Sequence, residues 1–161
     1  DFYWIVPAGS PTAEPIVTTP VAVVPGASFT SAFTVTVEGD TAFGQPRDLH
    51  DGQTVTWASL RGGGAWVLTL QTPAVVAGVR LTAHRDGQQD SPLLGVDLSS
   101  DGAIWTPVFA AGGACGETAG CLALAQNVAV DIGFAPSPAQ YVRLRGGARF
   151  ALAEVELAVL P

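Results

Sequence analysis

The sequence predicts an all-β fold, an antiparallel jelly-roll β-sandwich with an extended N-terminal arm. Three observations predict it. Apolar and polar residues alternate with period two in seven separate stretches, which puts one set of side chains inward and the other outward along a strand. Clusters of Gly, Pro and Asp separate the stretches, and 19 Gly with 12 Pro leave little room for long helices. The 161 residues, 48% hydrophobic and 13% charged, make one domain with a real core, too apolar and too poor in charge for intrinsic disorder.

Residues 1–28 form the arm. Pro7, Pro11, Pro15, Pro20 and Pro25 recur every four or five residues, which forbids helix and favours extended chain. Ile5, Val6, Ile16, Val17, Val21, Val23 and Val24 lie between them, and Phe2, Tyr3 and Trp4 precede them. Such an arm has several kcal/mol of incentive to dock, at about 25 cal/mol per Å² of apolar surface. The expectation is that residues 1–28 bury Phe2, Trp4 and Val6 against another chain; the alternative is that they fold back onto their own sandwich.

Residues 29–161 form the sandwich. Its first strand carries Phe33, Val35 and Val37, and its second Trp66, Leu68 and Leu70. Val79 and Leu81, then Val96 and Leu98, alternate with polar neighbours. Val128, Val130 and Ile132 make a fifth segment, Val142 and Leu144 a sixth, and Val155, Leu157 and Val159 a seventh. The Ala/Leu-rich segment 122–125 reads as a helical turn.

Seven Arg, no Lys and 14 acids give a charge of −7. An acidic surface repels phosphate backbones, so no nucleic-acid partner is expected. No apolar run reaches the ~18–20 residues of a transmembrane segment. There is no Met, and the chain opens Asp-Phe-Tyr-Trp, the pattern left when a signal peptide is removed; a trimmed segment looks the same. Cys115 and Cys121 enclose a Gly-rich loop, which reads as a small-loop disulfide in a secreted, extracellular, cell-surface or periplasmic protein. Free thiols are the alternative, and zinc lacks a second Cys/His pair.

Five motifs follow in a fixed order: Leu49-His50-Asp51-Gly52 running to Trp57, Trp66 to Leu70, Val76 to Leu81, Val96 to Val108 with Ser100-Asp101-Gly102 inside it, and Ala139 to Arg145 closing on Leu152-Ala153-Glu154. This resembles the discoidin, or coagulation-factor type C, superfamily, and within it bacterial family 32 carbohydrate-binding modules. The resemblance covers about residues 29–160 and implies a galactose-binding-like jelly roll. Trp57, Trp66 and Trp105 are read as core.

The polar loop His84-Arg85-Asp86-Gly87-Gln88-Gln89-Asp90 is the first candidate site. Sugar hydroxyls need forked donors and nearby acceptors, and the C–H face of the ring needs an aromatic. Arg85, Asp86 and Gln88 supply the polar part, and the resemblance implies a sugar-contacting Arg at Arg85. The alternative is a solvated turn with Arg85 paired to Asp86 or Asp90. His50 or Arg47 would add to the site, with Phe150, or else Phe43, as the aromatic. The resemblance also implies a structural calcium ion at Asp51 and Glu154, although Gln53 stands where the family pattern has Asp or Asn; a hydrogen-bonded loop is the alternative. No other cofactor is expected.

No nucleophile or metalloenzyme motif is present. Glu154 and Glu156 share one strand face, which suits acid/base work or a solvent-facing row equally. The function expected is therefore a secreted, non-catalytic module binding galactose-type or related glycans through His50, Arg85, Asp86, Gln88 and Phe150. The alternative is a structural subunit of an extracellular assembly, forming a homo- or hetero-oligomer through residues 1–28.

Overall fold

The structure, a computed structural model, describes residues 16–87 and 89–161. Their strands are β1 (Ser28–Thr30), β2 (Phe33–Glu38), β3 (Thr41–Phe43), β4 (Ala58–Leu60), β5 (Gly64–Ala83) and β6 (Ser91–Ser99). There follow β7 (Thr106–Ala110), β8 (Ala114–Cys115), β9 (Thr118–Ala119), β10 (Leu122–Leu124), β11 (Ala129–Gly146) and β12 (Ala151–Leu160). The one helical element among the described residues is a 3-10 turn, Pro46–His50. Every pairing between these strands is antiparallel.

The seven alternating stretches become five strands. Residues 68 and 80 lie on the single strand β5, and residues 130 and 143 on the single strand β11. Each of these long strands serves two sheets. Residues 65–70 of β5 pair with β2, and residues 75–83 pair with β12. The changeover falls at exposed Gln71–Pro73 and, on β11, at register shifts between Gly133 and Ser137, which takes in Pro136, and between Ala139 and Tyr141. Proline is tolerated at such an irregularity because no ladder hydrogen bond needs its missing N–H. The resulting two layers enclose Trp66, Leu68, Leu81, Val96, Leu144 and Leu157, all fully buried. The segment Leu122–Ala125 is not a helical turn. Its residues 122–124 are β10, paired with Leu93–Ser91 of β6, and the ladder prevails over an Ala/Leu helix propensity too weak in four residues to nucleate a helix.

The described part of the arm lies on its own sandwich. Val17 takes a hydrogen bond from Ala110 and donates one to Val108, at 2.9 and 3.2 Å, and the Val21 carbonyl accepts from Gly133 N–H at 2.8 Å. Residues 17–21 thereby span from β7 to the first half of β11, closing an edge that would otherwise offer unpaired donors and acceptors. Gly133 permits the crossing, since a Cβ there would collide with the Ala22 carbonyl. For residues 17–21 this is the fold-back onto the chain's own sandwich that stood as the alternative. Phe2, Trp4 and Val6 lie outside the described residues.

Candidate functional site

One end of the sandwich gathers the 3-10 turn, the segment Asp51–Trp57, the loop His84–Asp90 and the turn Gly147–Phe150. Strand β5 ends at Ala83 beside Leu152 of β12, so the loop that follows must emerge next to the start of β12. Several bonds then fix it. Ser59 Oγ donates to Asp86 Oδ2 at 2.6 Å, Gln89 Nε2 to the Ala148 carbonyl at 3.2 Å, and Arg85 Nε to Asp90 Oδ1 at 3.0 Å. The Asp90 pairing is the polar-turn arrangement weighed above. It engages only Nε: among the described residues the two terminal guanidinium nitrogens of Arg85 have no hydrogen-bond partner. Gly87, at φ 88°, turns the loop in a conformation that favours glycine, and its missing Cβ leaves room for the Arg149 guanidinium.

The aromatic part of the site is a stack of three rings. The Phe43 and Trp57 centroids are 4.2 Å apart, and Trp57 and His84 are 4.3 Å apart with planes 3° from parallel. Trp57 is half-buried rather than core, because rings from both neighbouring loops cover its faces. Trp66 is core as expected, at 0% exposure, while Trp105 is half-buried on a sheet face under Arg143. Phe43 is 53% exposed and, with Gln45, Arg47, Thr56 and Trp57, lines a cleft of about 290 Å³.

The expected site residues do not all converge. Arg85 and Asp86 sit together in the loop. Phe150 is fully buried, so it is a core residue and not an edge to the site: strand β12 begins immediately after it, and its ring fills the space above Gly146, where even a Cβ would collide. His50 turns away to stack on Phe33, with centroids 5.0 Å apart, and its Nδ1–H donates to the Ser31 carbonyl at 3.2 Å. His84 takes the imidazole position near the aromatic instead. Gln88 lies outside the described residues. Alternation does not find Trp57 or His84. No local signal finds Trp57: Thr54-Val55-Thr56-Trp57 alternates as a strand would, yet no strand forms there and Val55 is exposed.

Asp51 and Glu154 do come together. Glu154 accepts the Gly52 N–H on both oxygens, at 3.0 and 3.2 Å, while Asp51 accepts Gln53 N–H at 2.9 Å and the Thr56 hydroxyl. Burial pushes the Glu154 carboxyl up to about 7, opposed by the Gly52 N–H and reinforced by the nearby charge of Asp51. A calcium ion takes six to eight oxygens. Here two carboxylates are already held by N–H and O–H donors, one N–H points at Glu154, and among the described residues no third acid, His or Cys joins them. That donor set does not fit the ion. Glu156 lies opposite Arg80 across the β5–β12 ladder, so its face is a charged surface row.

Cys115 and Cys121 are disulfide-bonded, as expected, and tie the β8–β9 hairpin.

No family model and no curated protein matches the chain. Solved structures do. The CBM32 module of AlyQ, in complex with 4,5-unsaturated mannuronic acid, superposes with a TM-score of 0.61 at 22% identity, over 76% of this chain and 92% of that one. CBM32-3 from a family 31 glycoside hydrolase of Clostridium perfringens gives 0.61 at 19% identity, over 83% and 95%. A mutant of chitosan-binding module 1 from the chitosanase/glucanase of Paenibacillus sp. IK-5 gives 0.59 at 20% identity, over 80% and 96%. The fold is thus the galactose-binding-like sandwich of family 32 carbohydrate-binding modules. Some matches are larger: the chain spans 34% of truncated AlyQ with its CBM32 and alginate lyase domains, so its counterpart there is one domain of several.

Proposed function

We propose that this chain is a secreted, non-catalytic carbohydrate-binding module that takes galactose-type or related glycans at the loop end. The observation that carries the reading is the Phe43–Trp57–His84 ring stack beside Arg85. Exposed Phe43 offers a ring face to sugar C–H groups. Arg47 in the adjoining cleft and the terminal nitrogens of Arg85 offer forked donors to vicinal hydroxyls. Asp86 and Asp90 are each tied to a partner, which suits holding a ligand rather than moving protons. The disulfide favours an oxidising compartment, and no helix among the described residues is long and apolar enough to cross a membrane.

A single shallow site of this kind binds at about 10⁻⁴–10⁻³ M, so surface retention relies on multivalency. The test is a glycan-array screen of the wild type followed by calorimetry with Phe43→Ala on the best ligand. Phe43 is exposed and its loss does not disturb the core, so the variant stays folded and loses at least about tenfold in affinity, or about 1.4 kcal/mol. A wild type that binds no glycan, or a Phe43→Ala variant that binds as well, overturns the reading.

A further inference from the structure

We propose that the loop end holds a second sugar subsite, in the cleft walled by the disulfide-tied hairpin, so that the ligand is an oligosaccharide lying across the loop. This rests on the glycan-binding reading above and extends it. The cleft has a volume of about 460 Å³ and is lined by Gln89, Asp90, Pro92, Thr118, Ala123 and Ala148, among others. Two features connect it to the first site. His84, at the start of the loop, is stacked on Trp57, and Gln89 and Asp90, at its end, line the new cleft. Asp90 is also the residue that holds Arg85 Nε, so one guanidinium is anchored to the wall of the second cleft while its terminal nitrogens are left for a ligand.

The lining has the chemistry of a pyranose site. Gln89, Asp90 and Thr118 supply an amide, a carboxylate and a hydroxyl for ring hydroxyls, and Pro92, Ala123 and Ala148 supply small apolar surfaces for C–H groups. Its one charged side chain, Asp90, is neutralised by Arg85, which suits a neutral hexose. The far wall is the Cys115–Cys121 hairpin, two strands of two residues each that contribute little to the core, since Gly116–Gly120 are exposed. A hairpin this short is not stable by itself. The disulfide therefore keeps a wall in place rather than holding a core together.

Calorimetry with galactose and with β-1,4-linked galactotetraose tests the proposal. The wild type is expected to bind the tetraose at least about tenfold more tightly than galactose. Ala123→Trp, at an exposed position on β10, fills the cleft, returns tetraose affinity to that of galactose and leaves galactose binding unchanged; Ala148→Trp, in an exposed turn, does the same by an independent route. The paired Cys115→Ser and Cys121→Ser change lowers the chain-length gain without touching galactose. Equal wild-type affinity for the two sugars, or a gain that survives both tryptophans, overturns the second subsite while leaving the first intact. If the wild type binds neither sugar, this assignment falls. If Phe43→Ala then retains an array ligand, the parent reading falls separately.

Discussion

On the outer face of one sheet, Arg143 of β11 lies 4.4 Å from the Trp105 ring and 2.9 Å from Asp97, whose side chain is 4% exposed. At the loop end, Arg85 follows His84 of the Trp57–His84 stack in the chain and lies 3.0 Å from Asp90, whose side chain is 34% exposed. Both clusters consist of arginine, a carboxylate and tryptophan. On the sheet, Arg145 shares Asp97 at 2.7 Å and Arg143 also reaches Glu38, so two guanidiniums and two carboxylates close on each other. At the loop, one guanidinium nitrogen is spent and, among the described residues, the other two have no partner. The same residue types build structure where they close on each other, and the proposed binding surface is where fewer of them do. Residue identity does not separate the two cases; the burial of the shared carboxylate does.

That contrast can be broken most visibly at Asp97. Asp97→Asn keeps the shape and removes the charge that two arginines share in a nearly buried position. We expect a loss of about 3 kcal/mol in a urea or guanidinium melt. A loss below about 0.5 kcal/mol, the range of an exposed pair, would make the sheet cluster no more structural than the loop cluster.

A second, smaller effect concerns the carboxylate that holds the 3-10 turn's exit to β12. The folded Glu154 carboxyl titrates near 7 against a reference of 4.5, so the folded chain binds more protons than the unfolded one between these values. Stability is therefore greatest below about pH 4.5 with respect to this group, and falls as pH rises through 7. In melts run in chelator, Glu154→Gln should flatten that segment of the profile. Millimolar calcium should leave the wild-type curve where it is; a marked upward shift would restore an ion to Asp51 and Glu154.

The smallest effect on stability belongs to the open cluster. Arg85→Ala removes a pair exposed to water, and the melt should move by less than about 0.5 kcal/mol. Glycan binding should nevertheless fall to the limit of detection in the same preparation. A variant that loses stability but keeps its ligand would reverse the roles assigned to the two clusters.

The period-two pattern made most of the sandwich legible, because alternation is a local property of a strand with one buried face. It did not show that residues 68 and 80 share β5, or that 130 and 143 share β11. Gln71–Pro73 and Ala135–Pro138 read as breaks by composition, and only pairing across the corner makes them continuous. The disulfide was legible from spacing and composition. Arg85 and Asp86 were legible as a polar loop. Phe150 was misread because an aromatic in a turn carries no sign of which way it points, and the two readings of Glu154 could not be separated because a hydrogen-bonded carboxylate and a metal ligand are the same residue on paper.

By itself, then, the sequence determined the strand content, the two-sided character of each strand, the crosslink and the chemistry available in the loops, since all of these follow from neighbours along the chain. Tertiary structure alone decided that Val17 and Val21 fasten the arm to its own edge, that Trp57 stands between Phe43 and His84 while His50 turns to Phe33, and that Arg85 keeps donors to spare. Most of these depend on contacts between residues well separated along the chain, where small differences in burial and hydrogen-bond geometry choose among partners that the local sequence leaves equivalent.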